Sequence, residues 1–359
     1  MIIFRYLAKE VFITLISLTS ILVLIFLSNQ LIQYLNRAAS GSIPGVIIMK
    51  LMMLELPTLL SLLIPLGFYI AMLIAYGRLY AESEMTVLRA CGYGPNQLLK
   101  HSFIMASVVA VIVAAVMIWF SPYIYIERAK LLRTTGIQTI VQTIMPGRFH
   151  AINDGQDVFY VQSMSRDHSQ AEQVFLAKRS TKEDKIRWDV LWAEKAFAET
   201  DEKNGEDYII LQEGKEYQGT PGHADYQIAE FGEYKARLPH PVVKIKDDLR
   251  TASTASLWPL NNKDRAKAAE LQWRLSVPVM VLTLTLIAVP LSRINPRSGK
   301  YAKLFPAIII YILYANLMFI GRDAIVSGTI PQWLGLWWIH LLVAALGLFL
   351  IWRNQVKLA

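Results

Sequence analysis

Six long apolar stretches constrain this chain more than any other feature of its sequence. Three of them precede a polar segment and three follow it. An α-helix needs about 20 apolar residues to cross the hydrocarbon layer of a membrane. Most of the stretches reach that length, and the fourth and fifth are slightly short. The pattern predicts a helical membrane protein with one water-exposed insert. The stretches are 11–35, 51–80, 102–121, 275–292, 304–320 and 333–352.

The distribution of charge agrees with a membrane protein. Hydrophobic residues form 54% of the chain and charged residues 18%, with a net charge of +8. Residues 122–272 contain 21 basic and 23 acidic residues, whereas the rest of the chain contains 15 basic and 5 acidic residues. The basicity therefore belongs to the two apolar halves, which argues against binding of nucleic acid.

The same basic residues predict the orientation. With the amino terminus in the cytoplasm, four of the 15 lie outside, namely Arg37, Lys50, Arg274 and Arg322, and the others lie inside. Because positively charged loops stay in the cytoplasm, both termini are expected inside and the insert outside. Small residues after the first stretch could mark a cleaved signal peptide, but the stretch is too long for one. Residues 1–10 are predicted to form an amphipathic helix at the inner surface.

The polar insert has the pattern of a β domain. Short runs rich in β-branched and aromatic residues alternate with glycine and aspartate, which favours an antiparallel sandwich or jelly roll. The insert is either a plain soluble module or a sheet that receives a ligand or a partner strand. Its scattered histidines lack paired ligands, so no metal site is expected. The predicted strands are 157–163, 173–178, 186–197, 207–212 and 226–231.

The apolar stretches contain few ionisable side chains that could couple transport to the movement of ions or protons. Glu55 is the only acidic residue within a predicted span, where it either pairs at the interface or binds an ion. A secondary transporter would need several such carboxylates, and a membrane-tethered enzyme would need a nucleophile, a base or a metal cluster. The phosphate-binding loop GxxxxGK[ST] is absent, so the chain is not expected to hydrolyse ATP. It could still be the membrane half of an ATP-driven machine.

A docking element for a separate ATPase is visible at 79–94, LYAESEMTVLRACGYG. Glu82 and Glu84 suit the amino end of a short helix, Arg89 suits its last turn, and Gly92 supplies a stop. An ordinary cytoplasmic turn with capping charges would show the same spacing.

Four segments, in order, resemble the permease family of the lipopolysaccharide export transporter, LptF/LptG, and most closely its LptF branch. They are MIIFRYLAKE at the amino terminus, LYAESEMTVLRACG at 79–92, ELQWRLSVP at 270–278 and VPLSRINPRSGK at 289–300. The resemblance covers the apolar parts at both ends, and the central β domain agrees in size and position.

The resemblance implies an inner-membrane permease that takes lipopolysaccharide from the outer leaflet and passes it through a periplasmic jelly roll. Implied partners are a paralogous LptG-like permease, a homodimeric LptB-like ATPase that uses ATP and Mg, and a single-span LptC-like β protein. A related ABC exporter that handles another lipid or a lipoprotein is the alternative. The predicted divisions are an interfacial helix 1–10, spans 11–121 with a coupling helix about 80–94, a periplasmic domain 122–262 and spans 263–359.

The resemblance also implies functional residues. The ATPase-coupling set is Glu82, Glu84, Met85 and Arg89, with Glu84 as the principal acid. The first and fifth spans would face the partner permease. Cationic side chains would meet lipid phosphates at the outer interface, or would simply anchor the helices there. Candidate lipid contacts are Gln30 and Gln33 in the first span, Arg37 about one turn beyond it, Arg322 just after the fifth span, and Phe159, Val161, Phe175 and Leu176 in the β domain.

Overall fold

The computed structural model forms two compact units. The helical unit comprises Met1–Asn29, Met52–Glu127 and Asp247–Ala359, and the β unit comprises Gln30–Leu51 and Arg128–Lys246. The structure describes residues 2–39, 43, 45–133, 146–152, 157–165, 170–182, 185–201, 206–220, 222–223, 226–237, 249–258, 264–294 and 303–356.

The helices follow the apolar pattern of the sequence, because a backbone in lipid must satisfy its hydrogen bonds internally. A π-helical turn, Val116–Phe120, joins α4 to α5 in one continuous rod. The helices are α1 Ile2–Ala39, α2 Ile48–Ala81, α3 Glu84–Ala90, α4 Pro95–Ala115, α5 Ser121–Arg133, α6 Arg265–Leu291, α7 Leu304–Ser327 and α8 Trp337–Val356.

The helical membrane class is confirmed. Within the described ranges, five helices are long and apolar enough to cross a membrane, and Trp337–Arg353 is a shorter apolar helix. The fourth and fifth apolar stretches, which are slightly short, lie within longer helices, since α6 has 27 residues and α7 has 24. Both helices continue past the apolar run into polar residues that the hydropathy pattern excluded.

Helix boundaries differ from the sequence-based divisions in two places. Residues 2–10 continue directly into the first span as one helix, Ile2–Ala39. The third span extends through α5 to Arg133, past the expected start of the insert at 122. α6 begins at Arg265, in agreement with the predicted start of the last group of spans at 263. Polar residues therefore extend these helices beyond the apolar runs.

Helix α6 lies at the centre of the helical unit and packs against α4, α7 and α8. In the most apolar 18 residues of α6, 67% of the residues are buried, compared with 17% in α1 and 22% in α7. Small and hydroxyl side chains on α6 let neighbouring helices approach closely. The hydroxyls of Thr283 and Tyr314 lie 2.8 Å apart, and the Tyr314 hydroxyl lies 2.5 Å from Nδ1 of His340. This polar chain joins α6, α7 and α8 inside the unit.

Between 146 and 237, the described residues of the insert form a β-sheet, as predicted. Six antiparallel strands form one sheet in the order β1-β2-β3-β4-β5-β6. Each strand pairs with the next along the chain, so the described strands form a meander and lack the Greek-key crossovers of a strict jelly roll. All five predicted strands are present, whereas the short β1 was missed. The strands are β1 Phe149–Ile152, β2 Asp157–Met164, β3 Gln170–Lys182, β4 Lys185–Asp201, β5 Glu206–Gly219 and β6 Gln227–Arg237.

One face of the sheet, called here the core face, carries a packed apolar cluster. Its buried members are Val161, Ala171, Leu191, Ala193, Ala196 and Leu211. The cluster includes Val161 with Met164 on β2, and Ala193 with Ala196 on β4, although strict alternation would place residues three apart on opposite faces. β2 and β4 must therefore each contain an irregular residue between these two members of the cluster.

Those irregular residues lie in a line across the sheet. The pairing register of β2 to β6 is unchanged on both sides of this line, but one residue of each strand is left out of the pairing. Gln173 and Glu213 in this line have positive φ angles of 49° and 51°. At this line each strand departs from regular alternation at the same level, which keeps apolar residues on the core face on both sides of it. Its members are Gln162, Gln173, Glu194, Glu213 and Gly232.

Substitution of Gly347 tests the packing of α8 on α6. A Cβ at Gly347 would lie 2.6 Å from Cβ of Leu286 and 3.0 Å from its carbonyl carbon, so the backbone itself must move. A Cβ at Gly321 would meet only flexible side-chain tips of Ile339 and Leu336 at 2.9 Å. We expect Gly347→Ala to destabilise the protein by about 1–3 kcal/mol and Gly321→Ala to cost less. Thermal unfolding in detergent measures both, and equal losses would contradict the close approach.

Candidate functional site

Helix α3 lies between two apolar helices and begins at a sharp break in the chain. α2 ends at Ala81, and Ser83 has a left-handed backbone with φ 64°. Glu84 occupies the first turn of α3 and Arg89 the last, as the sequence predicts, and Gly92 with φ 88° ends it. The helix is shorter than expected, because the turn at Ser83 separates it from α2.

The Glu84 carboxylate is held in place by α1. The Tyr6 hydroxyl donates a hydrogen bond to Oε2 of Glu84 at 2.7 Å. One turn further along α1, Glu10 forms a 2.5 Å ion pair with Arg78 of α2. The first helix therefore fixes both the end of α2 and the acid at the start of α3. Glu84 remains half-buried.

The other three predicted coupling residues have different surroundings. Met85 is 2% exposed and packs into the core of the helical unit, so it anchors α3 rather than offering a contact. Arg89 donates a hydrogen bond to the Tyr80 hydroxyl at 2.9 Å and lies over its ring. Glu82 is exposed in the turn before the helix. The exposed residues of α3 and its flanks are Glu82, Ser83, Thr86, Val87, Ala90 and Cys91.

The turn after α3 is fixed from the other side. The Tyr93 hydroxyl lies 2.7 Å from Nδ1 of His101 on α4, and the two rings stack with centroids 5.6 Å apart. Burial raises the pKa of Tyr93 to about 12, so the phenol stays neutral at physiological pH. Both ends of α3 are thus held by neighbouring helices, while its exposed side stays available to a partner.

A second polar site, which the sequence reading missed, centres on Arg274 of α6. This guanidinium is 1% exposed and uses all three of its nitrogens. A planar guanidinium with five donors suits such a site, and a lysine ammonium does not. The acceptors, at 2.9–3.1 Å, are Oε1 of Glu270, Oγ1 of Thr254 and the carbonyls of Leu249, Arg250 and Ala252.

Arg274 therefore fastens the segment 249–254 to α6. The Thr254 hydroxyl in turn donates to the carbonyl of Ile118 at 2.9 Å, within the π-helical turn. A π-turn leaves backbone groups out of the regular pattern and often marks a functional position. The buried arginine thus joins the segment that follows the β domain in sequence to two central helices.

The carboxylate of Glu270 accepts hydrogen bonds from two arginines. Oε1 pairs with Arg274, and Nη2 of Arg322 donates to Oε2 at 2.6 Å. The guanidinium of Arg322 also lies 5.2 Å from the ring centre of Trp273, and its side chain is 26% exposed. Two cations share one carboxylate, so the cluster keeps a net charge of +1, and Arg322 is its more accessible member.

These positions correct two expectations. Arg322 lies within α7 rather than just after the fifth span. Glu55 on α2 is not the only acidic residue on a membrane-length helix, because Glu270 lies on α6 and Asp323 on α7. The apolar run of the fourth stretch begins after Glu270, so a boundary drawn from hydropathy excluded it. The spacing of Glu270 and Arg274, four residues apart on a helix, was the available signal.

The predicted lipid residues of α1 share one side of the helix. Gln30, Gln33 and Arg37 are spaced three and four residues apart near its carboxyl end, so their side chains lie one above another. Gln33 and Arg37 are exposed, and Gln30 is half-buried. The geometry brings these three predicted residues together.

The predicted lipid residues of the sheet divide between its two faces. Phe159 pairs with Leu176, and both pack with Val161 on the core face. Phe175 pairs with Tyr160 and lies on the opposite face, because neighbouring residues of a strand point to opposite sides. The sheet therefore groups three of the four residues. Across the described part of the chain, no cluster of three His, Cys, Asp or Glu is placed to hold a metal ion.

Replacement of Arg274 by lysine tests the buried cluster. Lysine keeps the charge but cannot supply the fork of donors, so we expect faster hydrogen exchange in 249–258 and a loss of about 3 kcal/mol in stability. Arg265→Lys is the matched control, since Arg265 is exposed and makes one long bond to the carbonyl of Ser327. Unchanged exchange in Arg274→Lys would show that the segment is fastened by other contacts.

Comparison with known proteins assigns the family. The family model of the lipopolysaccharide export system permease LptF/LptG matches residues 5–353. The lipopolysaccharide export system permease protein LptF of Escherichia coli strain K12 is 30% identical over 351 residues, which cover 98% of this chain and 94% of that protein. The LptF proteins of Escherichia coli O157:H7 and Shigella flexneri match with the same identity and coverage. The match spans both groups of helices and the inserted sheet, and the chain belongs to the LptF/LptG family of lipopolysaccharide export permeases.

Proposed function

We propose that this chain is the membrane subunit of an ATP-driven exporter that extracts lipopolysaccharide from the outer leaflet of the inner membrane and passes it along its β domain. The observation that carries the proposal is α3, a short helix held at both ends and exposed along one side. Since the chain has no phosphate-binding loop, a separate ATPase must supply the energy. α3 is the element that such an ATPase would move.

The charge distribution supports this placement of α3. Eleven of the 15 basic residues outside 122–272 lie on the side of the membrane that α3 shares with both termini. That side is therefore the cytoplasm, where a nucleotide-hydrolysing partner works. The β domain then lies in the periplasm. ATP and Mg bind to the partner ATPase in this proposal, and this chain binds neither.

Two helices have the exposure expected at a subunit interface. α1 and α7 are the least buried of the membrane-length helices in the described residues, with 17% and 22% of their apolar windows covered. In a lone chain, such apolar surfaces face lipid or a partner permease. We propose that they face an LptG-like subunit across a shared cavity, and that lipid enters between the two chains. An LptC-like β protein then extends the route.

The net charge near Arg322 suits an anionic substrate. Lipopolysaccharide carries phosphates at the level of the outer interface, where a half-exposed guanidinium forms strong charge-assisted hydrogen bonds. Glu270 and the ring of Trp273 hold Arg322 in a defined position. Arg37 with Gln30 and Gln33 supplies a second polar strip on α1. The acyl chains would then follow the core face of the sheet.

Glu84→Ala tests the coupling role of α3. The substitution removes a half-buried carboxylate, so we expect a complex that assembles but exports lipopolysaccharide at about one tenth of the normal rate or less, as for other losses of a charged contact. Transport from proteoliposomes, with assembly checked by co-purification of the ATPase, measures it. Tyr6→Phe removes only the hydroxyl that holds the carboxylate and should give a smaller loss. Asp264→Asn, at an exposed acid before α6, is the control.

Normal export by an assembled Glu84→Ala complex would refute the coupling role. A failure to assemble, with export lost in proportion to the missing ATPase, would place Glu84 in binding of the partner rather than in coupling. Tyr6→Phe tests the position of the Glu84 carboxylate apart from its charge, because it removes the positioning hydrogen bond and keeps the carboxylate.

Photo-crosslinking tests the core face as the path of acyl chains. A photoreactive residue at Leu176 or Phe159 should label lipid A during ATP turnover, because both side chains belong to the core cluster. The same residue at Lys195, which is exposed on the opposite face, should not. Equal labelling at Lys195, or no labelling at either core position, would exclude this path.

A further inference from the structure

The face of the sheet opposite the core face carries an unexpected row of aromatic side chains. Directly paired residues of antiparallel strands lie on the same face, so the pairing register defines the row. The first four members, one on each of β1 to β4, are aromatic, and the last two, on β5 and β6, form an ion pair of 2.5 Å. In order they are Phe149, Tyr160, Phe175, Trp192, Lys215 and Glu230.

This aromatic row is accessible. Phe149 is 68% exposed and Trp192 is 40% exposed, while Tyr160 and Phe175 are half-buried. The rings of Phe149 and Tyr160 lie 4.8 Å apart, which matches the spacing of neighbouring strands. An exposed aromatic surface of this extent on a β-sheet indicates a binding surface rather than a second core.

Acidic groups surround the Trp192 end of the row. An open pocket of about 470 Å³ there is lined by Trp192, Lys215, Glu230 and two further carboxylates, Glu194 and Glu213, together with Phe231 and two glycines. Glu194 and Glu213 belong to the line of irregular residues that crosses the sheet. The hydrogen bond to Glu230 raises the pKa of Lys215, and the same bond lowers the pKa of Glu230, so both remain charged at neutral pH.

These groups define the chemistry of a ligand. Aromatic faces pack against the C–H face of a sugar ring, and carboxylates accept hydrogen bonds from hydroxyl groups. Three carboxylates and one ammonium give the pocket a net charge of −2. A phosphate or an acidic sugar would be repelled there. An apolar acyl chain would leave the carboxylates without hydrogen-bond donors.

We infer that the aromatic row and its acidic pocket bind neutral sugar residues of the exported lipopolysaccharide, on the face of the sheet opposite its acyl chains. The inference rests on the proposed function, because lipopolysaccharide joins a saccharide to its acylated end. The two faces separate the two parts of the substrate. The core face takes hydrocarbon, and the aromatic face takes the uncharged part of the saccharide.

Saturation-transfer NMR on the full-length chain in detergent tests this inference without ATP turnover. Maltohexaose is the neutral probe, and a galacturonate oligomer of similar length is the acidic probe. We expect transfer to the ring protons of maltohexaose and little to the galacturonate oligomer. Trp192→Ala should reduce the maltohexaose signal about fivefold, as expected for loss of one stacking ring. Trp258→Ala, at a 65% exposed tryptophan outside the sheet, should leave it unchanged.

Trp192→Phe serves as the folding check, because it keeps an aromatic ring in the row and should retain most of the signal. An equal maltohexaose signal from wild type and Trp192→Ala would overturn the inference, and so would stronger transfer to the galacturonate oligomer. The proposed function is tested by a separate measurement, the labelling of lipid A. Labelling of lipid A from Leu176 without sugar binding would reject only the saccharide site, whereas absence of that labelling would reject the lipid path itself.

Discussion

The buried guanidinium of Arg274 holds the helical unit together at its most polar point. Taking a charge out of water costs several kcal/mol unless each donor finds a partner. Here the cost is offset by a carboxylate, a hydroxyl and three backbone carbonyls. The carbonyls belong to one short segment, 249–254, and are those of Leu249, Arg250 and Ala252. Arg274 and this segment therefore stabilise each other.

Sharing of Glu270 extends this dependence to α7. A single carboxylate accepts from Arg274 on its own helix and from Arg322 on the next. Any movement of α7 relative to α6 must therefore break or rebuild the bond to Arg322, which is the exposed member. The polar chain of Thr283, Tyr314 and His340 joins the same helices elsewhere along their length. α7 is thus attached to α6 through polar contacts while most of its apolar surface stays uncovered, as expected of a helix that meets a partner.

Hydropathy and β-propensity predicted the element types because those signals depend on neighbouring residues. The helical class, the five longer strands and the short helix around Glu84 all follow from local patterns. Helix ends were less predictable, because Ser121–Arg133 continues the third span as a helix past the end of its apolar run. The role of Arg274 depends on carbonyls 20 residues or more away, and carbonyls carry no sequence signal. The assignment of Phe175 to a lipid groove neglected alternation, which places it apart from Leu176.

The line of irregular residues across the sheet explains how both faces acquire their character. In a regular strand the residues two apart share a face, so Ser163 would follow Val161 onto the core face. The irregular residue at Gln162 instead places Met164 there, and each strand from β2 to β6 shifts at the same level. Polar residues then continue the aromatic face beyond the line, as Ser163, Glu172, Lys195, Gln212 and Glu233 pair in one row. The line therefore lies between the aromatic row and this polar row, and Glu194 and Glu213 belong to the line.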